Sequence, residues 1–419
     1  MDLKEYIRRR TQNYQGQKYV TSSATYLILE VLCGLWRPGK LTRHTKASFL
    51  FGVRLLRQAY RGVRPVVWSN VYTPPEMIWA WGGIPFLPEV AAAVAANLGW
   101  SIHFLKAAEK AWYSSDLCSF HRCALGMAME GVLPRPDLII ATSHLCDGAV
   151  KFLEVASRIY NCPYYLLSIP YHDTSQNRFW LAEEITALQK ELKPVLPARP
   201  KKIKRVVKNI NATREHMVGI NNLRKNVPAP WRGNEALTQV VVFLNGLGTI
   251  EALNFYRLLE QVLSYRIKKE IFVAPEQKKR LLWLHFKPFY TNPLLDLLEI
   301  EHKNIIAFEE VSEVFWDEFS TDGFEAGIAA KILANPLWGP GEKRVKLVLE
   351  LARAYNAQGV IHFSHWGCRQ SSGIIMPLRN ALNKEGIPLL DLDGDCIDPR
   401  NFMEGQTFTR VESFLEMLC

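Results

Sequence analysis

Apolar residues recur at helical intervals through SSATYLILEVLCGLW and around SFLFGVRLLRQAYRG. This predicts that residues 1–60 form a helical segment that caps or covers the domain after it. From Pro65 the pattern changes. RPVVWSNVYTPPE reads as a strand and a turn, with Pro75 near a helix start. EMIWAWGG reads as a short helix and IPFLPEV as a second strand. A helix is expected through CALGMAMEG, a buried strand in PDLIIATSHLC, a helix in GAVKFLEVASRIY and a strand in PYYLLSIP. Alternation of this kind over residues 61–180 is the signature of a mostly parallel sheet.

Residues 181–232 carry several prolines and read as a helical or irregular connecting arm. A second α/β domain is expected over 233–419. Its predicted strands are VVVFLNGLGTI (strand and turn), EIFVAPE, KNIIAFEE, VIHFSHWGCRQ and GIPLLDLDGDCIDP, the last two running into loops. KRVKLVLELARAYNAQG and TFTRVESFLEML are the helices. The fold class is therefore α/β, with doubly wound domains in tandem. Ligands of such folds sit beyond the carboxyl ends of the strands.

The length of 419 residues calls for two or three domains, and an apolar fraction of 48% is ample for their cores. The net charge of +10 permits anionic partners: a nucleotide-bearing substrate, an acidic protein or nucleic acid. Most cations are scattered, and the one dense run, Lys201, Lys202, Lys204, Arg205 and Lys208, is read as a solvated helix face or hinge. No finger spacing or RNA-binding aromatic pattern accompanies it, so a nucleic-acid role is not expected. The start, MDLKEYIRRR, lacks the apolar run of a signal peptide, and no stretch is long enough for a membrane span. A cytoplasmic location is expected.

Eight cysteines change the picture. In a reducing compartment they are buried apolar groups or metal ligands, and no CxxC pair points to a zinc ribbon. Cys146, Cys368 and Cys396 each follow a predicted strand, while Cys118 precedes a helix in DLCSFHRCALG, where unpaired N–H groups favour a thiolate. Widely separated thiols select soft metals, namely iron–sulfur clusters, zinc or copper. Cys162 starts a strand and reads as structural. Cys33, in an apolar helix, and Cys419, the last residue, read as having no role in the site, although Cys33 reaches the interior if the N-terminal helices cap it.

With these residues in view, the sequence resembles the 2-hydroxyacyl-CoA dehydratase and benzoyl-CoA reductase superfamily, including the related double-cubane cluster proteins. The resemblance runs through VVWSNVYTPPEMIWAWGGIPFLPE, DLCSFHRCALG, PDLIIATSHLCDGAVKF, SHWGCRQSSG and GIPLLDLDGDCIDPR, in that order. It implies flavodoxin-like domains around a [4Fe-4S] cluster held by Cys118, Cys146 and Cys368, reduced by an ATP-hydrolysing activator protein that carries its own [4Fe-4S] cluster. No GxxxxGK[ST] loop occurs in the chain, so ATP hydrolysis falls to that partner. Cys123, in CSFHRC, and Cys396, in DGDC, add two thiols. The leading expectation is thus an [8Fe-9S] double-cubane reductase of a small molecule, working as a homodimer, with Cys33 or Cys162 as a sixth ligand. The alternatives are a [4Fe-4S] subunit of an acyl-CoA dehydratase or benzoyl-CoA reductase, paired with an unlike homologous subunit, and a non-catalytic electron carrier. The expected catalytic residues are His365, donating to a cluster ligand, Arg122 and Arg369 beside ligand cysteines, and Glu76. Glu89, His144, His172 and His362 are further candidates near strand ends.

Overall fold

The computed structural model describes residues 21–35, 37, 39 and 42–418. The first part of the expected helical segment and Cys419 lie outside the described residues. Helices α1 (Ser23–Leu35) and α2 (Arg43–Arg61) pack on one another as the pattern predicts.

The first sheet has strands β1 (Val66–Ser69), β2 (Ile84–Phe86), β3 (Leu138–Thr142) and β4 (Tyr164–Leu167), all parallel in the order β2-β1-β3-β4. Helices α3 (Pro75–Trp81), α4 (Pro88–Asn97), α5 (Ser101–Lys110), α6 (Ser119–Met129) and α7 (Asp147–Tyr160) make the crossovers. Every residue of β1, β2 and β3 is buried, as parallel strands covered on both faces must be.

Four helices follow: α8 (Ser175–Leu192), α9 (Pro200–Leu223), α10 (Gly233–Gly246) and α11 (Ile250–Lys268). The basic run lies in α9. Lys201, Lys204, Arg205 and Lys208 are exposed, while Val206, Val207 and Ile210 face the core, so the run is a helix face.

The second sheet holds β5 (Arg280–Leu284), β6 (Ile305–Glu309), β7 (Gly359–His365) and β8 (Leu389–Gly394), again parallel, in the order β6-β5-β7-β8. Helices α12 (Phe324–Ala334), α13 (Gly341–Ala354), α14 (Ile375–Lys384) and α15 (Glu404–Met417) complete it. Two expectations fail here. VVVFLNGLGTI is not a strand, because its apolar run lies in α10, where Val240, Val242, Phe243 and Leu244 are buried in a helix covered on nearly every side. EIFVAPE is irregular, and the strand is the next segment, RLLWL, at the centre of the sheet. One buried apolar cluster includes Trp68 and Ile140 of the first sheet and Trp283 and Ile361 of the second. The two sheets are therefore parts of one body.

Candidate functional site

Strand ends and helix starts bring three cysteines to one cavity of about 110 Å³. Cys118 is the N-cap residue of α6, and Cys146 is the N-cap of α7, one loop beyond β3. Cys368 is the N-cap of the short helical turn Arg369–Ser372, three residues after β7 ends. Each thiol thus stands where a helix presents unpaired N–H groups. The Cys368 loop closes tightly on Cys118: Gly367 has φ +78°, and a Cβ there would lie 3.0 Å from the Cys118 nitrogen.

The imidazoles set the charge of the site. Burial alone would push the Cys118 thiol up, but His121 and His365 overcome it and hold the thiol well below its ordinary range. His365 Nε2 lies 3.3 Å from Cys118 Sγ, and its Nδ1 accepts the Cys396 N–H at 3.1 Å. A ring that accepts at Nδ1 keeps its proton on Nε2, where it donates to the Cys118 sulfur. Burial disfavours a charged His121, yet the Cys118 thiol and the Glu89 carboxylate keep its pKa well above the usual value. His121 also stacks on Phe152 and stands 3.7 Å from Glu89. Burial raises Cys146, against His121, and pushes Cys368 up to about 12, with the Cys118 thiolate adding to it.

The remaining wall is largely apolar, from Val71, Phe120, Phe286, Val311 and Leu337, with a few polar groups: Asn70, Tyr72, His285, Gln370 and the Glu310–Arg344 pair. Arg344 holds Glu310 through two hydrogen bonds of 2.9 and 2.6 Å, and Gln370 donates to the Leu337 carbonyl. A groove of about 860 Å³ adjoins the cavity, sharing Leu337, Arg344 and Gln370.

The other residues singled out from the sequence fall elsewhere. Cys123 is buried in the core on α6, and Cys396 is buried behind His365; neither lines the cavity. Cys162 stands half-buried just before β4 and Cys33 lies on α1, both away from the cavity. Arg122 turns from the cavity to Glu109 (2.6 Å) and Asp398 (3.1 Å), a buried pairing that ties α6 to the loop after β8. Glu76 pairs with Lys331 at 2.7 Å in the core. Arg369 is 90% exposed, 3.8 Å from Asp147, and so is directed to solvent. His144 packs on Trp338 outside the cavity, His172 is exposed, and His362 is buried against Ser371 and Asp391. Glu89 does line the cavity. The sequence reading passed over His121, Tyr72, His285, Arg344 and Gln370. Only His121 carried a legible signal, standing three residues after Cys118 on the first turn of the helix.

Three thiols on three loops around one cavity suit a cubane, whose ligands bind different irons. Among the described residues no three His, Cys, Asp or Glu side chains converge closely enough for a single metal ion. No described helix is long and apolar enough to cross a membrane.

The (R)-phenyllactyl-CoA dehydratase alpha subunit of Clostridium sporogenes is 25% identical over 84% of this chain and 89% of its own. A benzoyl-CoA reductase subunit of Thauera aromatica is 24% identical over 82% and 86%. The (R)-2-hydroxyisocaproyl-CoA dehydratase alpha subunit of Clostridioides difficile is 24% identical over 85% and 90%. Residues 70–418, which span both sheets and all three cavity cysteines, match the model described as 2-hydroxyglutaryl-CoA dehydratase, D-component, and the chain belongs to that family.

Proposed function

We propose that the chain is the cluster-bearing subunit of a reductive enzyme acting on an acyl thioester, with one [4Fe-4S] cluster on Cys118, Cys146 and Cys368. The observation that carries this is the convergence of three N-cap cysteines on one cavity beyond the strand ends. The relatives' names, dehydratase and reductase subunits, support the reaction class. When bound, the cluster supplies one-electron reduction at low potential. Around it the protein's own groups do the rest. His365 donates to the Cys118 sulfur, which tempers its charge. Apolar walls keep water out, and the adjoining groove gives a long substrate room to lie. The electron source is an ATP-hydrolysing activator protein, and a second chain, homologous or identical, completes the enzyme. A double cubane is the weaker reading, because the two thiols it would add are buried outside the cavity.

Anaerobic reconstitution tests this. Wild type should carry about four irons per chain, the cubane stoichiometry. Cys118→Ser, Cys146→Ser and Cys368→Ser should each lose most of the iron, and Cys123→Ser and Cys396→Ser should keep it. A wild-type count near eight that falls by half in the Cys123 or Cys396 variant would restore the double cubane. Full iron in all three cavity variants would reject the site.

A further inference from the structure

Among the groups in the cavity wall, Tyr72 carries two costs. It follows β1 in a left-handed conformation, φ +69°. A bulky residue there is uncommon and strained by about 1–3 kcal/mol. The loop is held in place by Asn70, whose amide donates to the Thr142 carbonyl at 3.1 Å and whose oxygen accepts the Thr142 N–H at 2.9 Å. Thr73 closes the turn through its N–H to the Asn70 carbonyl. The ring rests edge-on against Phe243.

The second cost is the hydroxyl. It is buried and has no hydrogen-bond partner among the described residues. The charged pair beside it, Glu310 and Arg344, is already engaged. Arg344 gives Nε and Nη2 to Glu310 and Nη1 to the Ser371 carbonyl, and Glu310 also accepts the His285 N–H at 2.7 Å. A buried polar group left unpaired is expensive, and such groups collect where a ligand completes them. Tyr72 lines the same cavity as Cys118, Cys146 and Cys368.

We propose that the Tyr72 hydroxyl is the hydrogen-bond donor for the carbonyl oxygen of the acyl thioester bound in this cavity. The proposal rests on the acyl-thioester reading above and adds the residue that orients that substrate. The edge-on contact with Phe243 holds the ring, so the donor loses little freedom on binding.

Tyr72→Phe removes one oxygen and keeps the ring. In the metal-free chain its thermal unfolding should be unchanged or raised, since an unpaired hydroxyl is lost. A fall of several degrees would reveal a structural partner and overturn the proposal. In the anaerobically reconstituted protein, (R)-phenyllactyl-CoA should bind about tenfold more weakly to the variant, the effect of losing one hydrogen bond. The corresponding thioether, which lacks the carbonyl, should bind wild type and variant alike. The midpoint potential of the cluster without substrate should not move. Equal thioester affinity, or a shifted potential at equal affinity, would overturn the role of Tyr72 alone, the latter assigning its hydroxyl to the cluster. Failure of wild type to bind the thioester would overturn the acyl-thioester reading with it.

Discussion

Glu76 is wholly buried, and one of its oxygens accepts from Lys331 Nζ at 2.7 Å. The lysine also lies 4.3 Å from the centre of the Trp316 ring. Burial lowers the Lys331 pKa and the Glu76 charge opposes that. Glu76→Gln would strand an ammonium in the core, with a loss of roughly 3–5 kcal/mol. Denaturant unfolding should show that loss, while iron content after reconstitution stays at the wild-type level, because Glu76 does not reach the cavity. Iron loss at unchanged stability would instead return Glu76 to the site. Glu76 lies beyond a strand as the sequence suggests, but that its side chain turns to Lys331 and not to the cavity was not legible, because which way a helix residue faces depends on the phase of α3 against its neighbours. The three cavity cysteines were legible because Cys118 precedes a predicted helix, Cys146 and Cys368 follow predicted strands, and the family resemblance singles out these three. Cys396 follows a strand in the same way, yet it is buried outside the cavity. Tyr72 and His285 were not legible, since both face the cavity by virtue of left-handed backbones that no residue type announces.

Among the elements, α6 does the most for the site, carrying Cys118 at its cap and His121 on its first turn. It sits against α5 at Gly126, where a Cβ would fall 1.9 Å from the Phe104 carbonyl oxygen. Gly126→Ala must push the two helices apart, at a cost of about 1–3 kcal/mol or more. The melting temperature should fall by several degrees, and iron loading with it. Gly405→Ala, on α15 with nothing within 4 Å of the new methyl, should leave both unchanged or slightly improve stability. Equal effects of the two changes would rule out the close approach as the cause. Element identity was readable wherever periodicity and punctuation agreed, as in β1, β3, α7 and α13. It failed between residues 233 and 284. The run of valines in α10 is apolar all round because the helix is buried, and a buried helix has no polar face to show its period. Strand β5 was obscured by Lys278 and Lys279 before it and by Arg280 at its start. The Arg280 guanidinium is in fact buried, bonded to the carbonyls of Tyr355 and Asn226.

At the scale of the molecule, polar ties hold the second sheet to the helices around it. Arg122 joins α6 to Asp398, and Arg400 joins Asp398 to Glu109. Glu299 does the same beside β6. It accepts the N–H groups of Gly233 and Asn234 at the start of α10 and that of Ile306 in β6, at 2.8, 3.1 and 3.2 Å. Burial outweighs these donors and raises its pKa to about 7. In the unfolded chain the carboxyl titrates near the ordinary glutamate value, about 4.3. Between those two values the folded state binds the extra proton. Stability from this group is therefore complete below the ordinary carboxyl range and is lost as pH rises through about 7. The loss amounts to roughly 3–4 kcal/mol at full titration, from about 1.4 kcal/mol per pKa unit. Denaturant midpoints of the metal-free protein at pH 5, 6, 7 and 8 should fall with pH more steeply in wild type than in Glu299→Gln, which cannot ionise. The difference between the two curves should open above pH 5 and level off above pH 8. Parallel curves would mean that Glu299 is ionised in the fold across the whole range, with its three backbone donors, not its burial, deciding its charge.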